Sequence, residues 1–169
     1  MTAVRKKWKW TIVAAAALIL IAAALNWMYH SVSREEWNSQ RAAVALAYEK
    51  TALTETTWVE RFVGDKTYTV ISGVDKLGQP LYVWVGGEGE LRSELAANGV
   101  AGEAMAEQVK AKHAGAEIMR VTPGIQNDKP VWEIFYKYTP EGQKREQHFY
   151  DYYQFSDGTW IDTWRLSIQ

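Results

Sequence analysis

From Trp10 to Tyr29 the chain reads WTIVAAAALILIAAALNWMY, 20 residues without a charge, inside a charge-free stretch that extends from Lys9 to Arg34. At about 1.5 Å per residue a helix of that length covers the roughly 30 Å of a bilayer's hydrocarbon. The pattern then changes. Ser33 with Glu36 three residues on has the form of a capping box, which predicts a helix from Ser33 to about Leu53 with Trp37, Val44, Tyr48 and Ala52 near one face. TTWVERFV, TYTVISGV and PLYVWV follow with the two-residue period of strands, separated by Gly64-Asp65 and by the run from Asp75 to Gly78. The order then recurs. Ala101, Met105 and Val109 stand at helical spacing, and AEIMRV, VWEIFYKY, QHFYDYYQF and TWIDTWRL read as four further strands.

Superposing Gly78-Gln79 on Gly142-Gln143 gives an offset of 64, which also sets Tyr68 on Trp132, Val70 on Ile134 and Trp58 on Thr122. Self-similarity at a fixed offset predicts two copies of one α+β unit, each a helix packed on an antiparallel sheet. The glycine-punctuated GGEGELRSELAANG, Gly86 to Gly99, is the natural linker. The expected division is a basic tail over 1–9, a membrane span over 10–29, a first unit over 30–89 and a second over 90–169.

In the second unit Trp132, Ile134, Tyr136 and Tyr138 share a face, whereas the next strand carries Phe149, Tyr153 and Phe155 on one side and His148, Tyr150 and Tyr152 on the other. That is more aromatic surface than a solvent-facing side of a sheet should hold. Either the other unit covers it or it docks a partner. Tyr82, Trp84, Tyr150 and Tyr152 are the candidate partner-binding residues.

Charge sharpens this picture. The formal net charge of −1 conceals Arg5, Lys6, Lys7 and Lys9, which precede every acid; the remainder has 15 basic against 20 acidic residues and does not offer a nucleic-acid surface. Basic residues before the apolar run, with Trp8, Trp10, Trp27 and Tyr29 at its ends, predict a single-pass anchor with a cytoplasmic N-terminus and exported units. A signal peptide cleaved near Ala22-Ala23-Ala24 and a buried soluble helix are the alternatives. The length of the run and the aromatics after it favour the uncleaved anchor.

Candidate chemistry is sparse. The absence of cysteine removes disulfides and thiolate metal sites. Gly87 and Gly89 would need a third glycine where Arg92 stands to make a dinucleotide fingerprint. His30, His113 and His148 are scattered, so no metal is expected. Asp151, Asp157 and Asp162 could be read as acid–base carboxylates, but Asp157-Gly158 has the form of a turn and Asp162 alternates with Trp160 and Trp164. No catalytic residue, cofactor or small-molecule substrate is expected, and the chain does not read as an enzyme.

The order of FVGDKTYTVISGVDKLGQPLYVWVG behind an anchor and a helix, followed by VWEIFYKYTPEGQ and YDYYQFSDGTWI, resembles the YpmB/TseB-like family of cell-wall elongation regulators. Phe62-Val63-Gly64, the hairpin from Gly73 to Val85 and Trp132-Glu133 carry the likeness. The resemblance implies tandem PepSY-like, cystatin-type units outside the membrane of a Gram-positive bacterium. It further implies a non-enzymatic role exerted on a membrane-bound class B penicillin-binding protein that crosslinks peptidoglycan. A cystatin-like inhibitor of an extracytoplasmic peptidase is the second function that such modules would allow.

Overall fold

The computed structural model describes the backbone from Thr2 to Leu166 and the side chains of residues 17–28, 37–87 and 89–166. It divides into two compact units, residues 1–42 and Ala43 onward. The first unit lies within helix α1, which runs without a break from Thr2 to Lys50. The helix expected to start at Ser33 does not start there. No glycine or proline occurs before Gly64, so nothing in the sequence interrupts the helical hydrogen-bond ladder. The Ser33 and Glu36 side chains lie outside the described residues, as does that of His30. Among the described residues no helix is long and apolar enough to cross a membrane. Of the span expected over 10–29, the side chains of 17–28 are described and exposed; the others lie outside the described residues.

In the second unit α1 ends where Thr51 donates its hydroxyl to the Ala47 carbonyl at 2.7 Å and accepts the Leu53 N–H at 3.2 Å. The chain then forms two antiparallel meanders of four strands each. The first contains β1 (Leu53–Val63), β2 (Thr67–Asp75), β3 (Pro80–Val85) and β4 (Leu91–Leu95), in that order. Helix α2 (Gly102–Lys112) leads into the second, β5 (Glu117–Gln126), β6 (Lys129–Tyr138), β7 (Gln147–Gln154) and β8 (Trp160–Leu166). The α+β architecture with two like units is as expected from the sequence. The segment read as a linker, however, supplies β4, whose Leu91 and Leu95 pair with Val85 and Leu81.

Three apolar clusters hold these layers. Ala43 and Ala47 of α1 pack on Leu53, Ile71, Leu81 and Val83 of the first sheet. Met105 and Val109 of α2 pack on Trp132, Ile134, Tyr136, Phe149 and Tyr153 of the second. In the third cluster Phe62, Tyr68, Val70 and Trp84 from the first sheet meet Ile125, Val131 and Tyr152 from the second. Each sheet therefore buries one face on a helix and part of its other face on its counterpart. Two small cores are joined into a larger one, which a chain of this size needs for stability.

The clusters also correct the repeat register. An offset of 64 puts Val70 on Ile134, yet Val70 faces the other sheet while Ile134 faces α2. Strand side chains alternate, so a slip of one residue exchanges the two faces. The register that keeps faces sets Ala43 on Met105 and Ala47 on Val109, 62 apart, then Ile71 on Ile134, 63 apart. The change of one arises before the first hairpin, between helix and first strand, because Phe62 and Ile125, which both face the opposite sheet, are already 63 apart.

Contact between the sheets depends on Gly124. A Cβ there would collide with the Phe62 ring, so only glycine lets that ring lie on β5. Gly124→Ala is expected to destabilise the fold by about 1–3 kcal/mol, the usual range for overpacking. Denaturant unfolding measures it. A variant as stable as the parent would mean that Phe62 is not held against β5.

Candidate partner-contact face

On the side of the second sheet turned away from α2, cross-strand pairing brings one residue from each strand into line. Arg120 pairs with Phe135, Phe135 with Tyr150, and Tyr150 with Trp164. The Phe135 and Tyr150 rings stack at 4.6 Å between centroids, and His148 stacks on the other side of Phe135 at 5.7 Å. Stacked cross-strand aromatics stiffen such a row. Phe135, His148 and Tyr150 are half-buried, and Tyr150 also packs against the cluster between the sheets. Beyond them, on edge strand β8, Trp164 is 55% exposed and Leu166 44%. Trp160, 50% exposed, extends the apolar surface around the same edge, with Lys112 5.4 Å from its ring centre.

The inner half of this face is closed by a polar network. Buried Glu133 accepts the Tyr152 hydroxyl at 2.9 Å on one oxygen and Arg120 Nη2 at 2.9 Å on the other. Arg120 Nη1 reaches Glu60 of β1 at 3.2 Å, so the guanidinium bridges the sheets. Burial, and then the Glu133 charge, pushes the Tyr152 phenol well above its ordinary range.

Of the four residues expected at a partner surface, the structure buries two. Trp84 lies in the core between the sheets and donates its indole N–H to the Pro123 carbonyl at 3.0 Å. Tyr152 is buried in the same cluster. Neither ring is accessible to a partner, which corrects the expectation for both. Tyr82 is half-buried, its ring at 5.5 Å from Trp132 and 6.0 Å from Phe155, both edge to face. Tyr150 alone of the four lies in the open row. Phe135, Trp164 and Leu166 were missed. Their strand alternation was visible, but the assignment of β8 to an edge was not.

The three aspartates weighed as acid–base groups are separately engaged. Asp151 is fully buried and accepts hydroxyls from Tyr136 at 3.0 Å, Tyr153 at 3.1 Å and Thr163 at 2.6 Å. Asp157 accepts the Thr159 N–H at 2.9 Å, and that bond holds its carboxyl below the usual range. Asp162 accepts the Thr163 N–H and the Trp164 indole N–H, at 2.8 and 2.7 Å. His113 lies tilted at 4.4 Å from Tyr138 and stacks on Tyr136 at 5.6 Å, and burial followed by Lys112 lowers its pKa. Among the described residues there is no group of three or more histidine, aspartate and glutamate side chains that could hold a metal ion.

Residues 42–86 match the family model described as the cell wall elongation regulator TseB-like domain. The chain is 28% identical over 144 residues to the "Probable cell wall elongation regulator TseB" of Bacillus subtilis (strain 168), covering 84% of each chain. The solved structure of the "YpmB protein from Bacillus subtilis" superposes with a TM-score of 0.64 at 28% identity, over 75% of this chain and 96% of that one. Together the family model, the curated relative and the solved structure support the assignment of this chain to the TseB/YpmB-like family.

Proposed function

We propose that the chain is a non-enzymatic regulator of cell-wall elongation that acts by contact with a class B penicillin-binding protein. In this reading residues 10–29 anchor it in the cytoplasmic membrane with its N-terminus inside, and both sheets lie outside the cell. The cell-wall role is supported by the relative's own description as a probable cell wall elongation regulator. The anchor is supported by the charge-free run and the basic residues that precede it.

The observation that carries the contact is the aromatic row that ends on an open edge strand, with Trp164 and Leu166 exposed beside stacked Phe135 and Tyr150. Exposed aromatic and aliphatic anchors beside a sheet edge are what protein interfaces use. Confinement to a membrane shared with the synthase would raise the effective concentration of both.

The test is capture by the tagged full chain from detergent-solubilised membranes, with bound synthases revealed by fluorescent penicillin. Trp164→Ala with Leu166→Ser is expected to reduce the labelled band at least tenfold while circular dichroism stays unchanged. A band of parental intensity would remove this face from the contact. No penicillin-labelled band with the parent protein would remove the partner. For the anchor, protease added to intact protoplasts is expected to digest both sheets, and their survival beside a digested external control would overturn the topology.

A further inference from the structure

Between β4, the turn joining β5 to β6, and the end of β7 lies an open cleft of about 390 Å³. That lies within the roughly 300–1,000 Å³ typical of small-ligand sites. Its floor is apolar where Val131 and Ile161 line it. Besides Asn98, which is bonded to Glu94, the rim carries the carboxamides of Gln126, Asn127 and Gln154 and the ammonium of Lys129. Among the described residues, none of these four side chains has a hydrogen bond or ion pair to another protein group.

The rim is fixed in place by its neighbours. Asn127 and Asp128 both have left-handed backbone, with φ of 50° and 58°, a conformation that costs energy in residues other than glycine. The first sheet clamps this turn. Arg92 donates to the Asp128 carbonyl at 2.8 Å, and Lys66 Nζ lies 3.5 Å from the Asp128 carboxylate. Arg92 also donates to Glu94 at 3.2 Å, and Glu94 accepts from Asn98 at 3.3 Å, so the acid of this wall is already occupied. A turn held this way presents Asn127 and Lys129 with little ordering left to do on binding.

The chemistry of the rim selects the ligand. A carboxamide offers a donor and an acceptor side by side, which complements a peptide group, and a lysine without an acidic partner complements a carboxylate. Sugars favour an exposed aromatic face, and Phe155, the ring that lines this cleft, is only 3% exposed. We propose that the cleft binds the carboxylate end of a short peptide, with the carboxylate on Lys129 and the peptide groups on Gln126, Asn127 and Gln154. This site stands apart from the aromatic row, and neither reading depends on the other.

Calorimetric titration of the full chain in detergent micelles tests it with four probes. These are tetra-L-alanine, its C-terminal amide, L-Ala-γ-D-Glu-L-Lys-D-Ala-D-Ala, and tri-N-acetylchitotriose. Saturable binding of at least one of the two free acids is expected. The C-terminal amide of tetra-L-alanine should bind about three- to fivefold more weakly than its acid, the upper part of the range for one exposed ion pair. Lys129→Gln should weaken the acids by the same factor and leave the amide unchanged. Asn127→Gly keeps a residue at ease in left-handed backbone but deletes the carboxamide, so it should weaken acid and amide alike. A preference for the first acid assigns the ligand to a protein C-terminus and a preference for the D-alanine peptide assigns it to the wall; either supports the site. Binding of the sugar in place of the peptides, equal affinity for acid and amide, or no heat from any probe would overturn it.

Discussion

Trp84→Ala is expected to lower the free energy of unfolding by about 3–5 kcal/mol, the range for deleting a buried aromatic side chain. Trp84 is fully buried, edge-on to Phe155 at 6.3 Å and 6.2 Å from Tyr82, so the cavity would open where the two sheets meet. The Pro123 carbonyl would also lose the indole N–H that it accepts at 3.0 Å. Trp84→Phe should cost less, because it keeps most of the ring area and loses mainly the hydrogen bond. Urea unfolding measures both. Trp164→Ala is the contrast, since an exposed ring on an edge strand should change stability by no more than about 0.5 kcal/mol. If Trp84→Ala unfolds at the parental midpoint, the sheets are not stabilised by burial against each other.

The second large effect is a loss of stability at alkaline pH. Tyr136 and Tyr153 donate their hydroxyls to Asp151, and Tyr152 donates to Glu133, all buried. Burial, then the neighbouring carboxylate, raises all three phenols far above the ordinary value near 10. Above that ordinary value the unfolded chain releases these protons while the folded chain keeps them. Stability contributed by the raised pKa values is therefore complete below about pH 10 and falls as pH rises. Each phenol contributes a slope of about 1.4 kcal/mol per pH unit, so the three together give about 4 kcal/mol per unit. Urea unfolding at closely spaced pH values above 10 should show that slope, and Tyr136→Phe should reduce it by about a third. A shallow parental slope would mean that the phenols ionise within the fold.

Much of the architecture was legible in local pattern. Alternation in TYTVISGV, PLYVWV and VWEIFYKY marked strands because side chains on a strand switch faces at every residue, and Ala101, Met105 and Val109 marked α2 by helical spacing. The like order of elements in the two halves marked two related units. Local pattern was weaker at boundaries. The Ser33 capping box had no breaker before it to end the preceding helix, and α1 runs through it. LRSEL carries too little apolar character to stand out, yet it forms β4 because the open edge of β3 offers it backbone partners.

What the sequence could not decide is which face each strand turns to which neighbour. Trp84 and Tyr152 are the same residue types as the exposed Trp164 and the half-buried Tyr150, and only the packing of the two sheets buries the first pair. The same holds for the repeat. Composition and turn glycines fixed its length to within two residues, but a shift of one exchanges helix-facing and sheet-facing side chains, and that choice is made by contacts such as Phe62 on Gly124. The chain by itself determined its elements, their order and their duplication, because those depend on neighbours in sequence. The tertiary structure alone decided the edge position of β8, which strand pairing within the second sheet sets, and the core between the sheets and the cleft beside the Asn127 turn, which are built from residues that meet only when the two sheets pack.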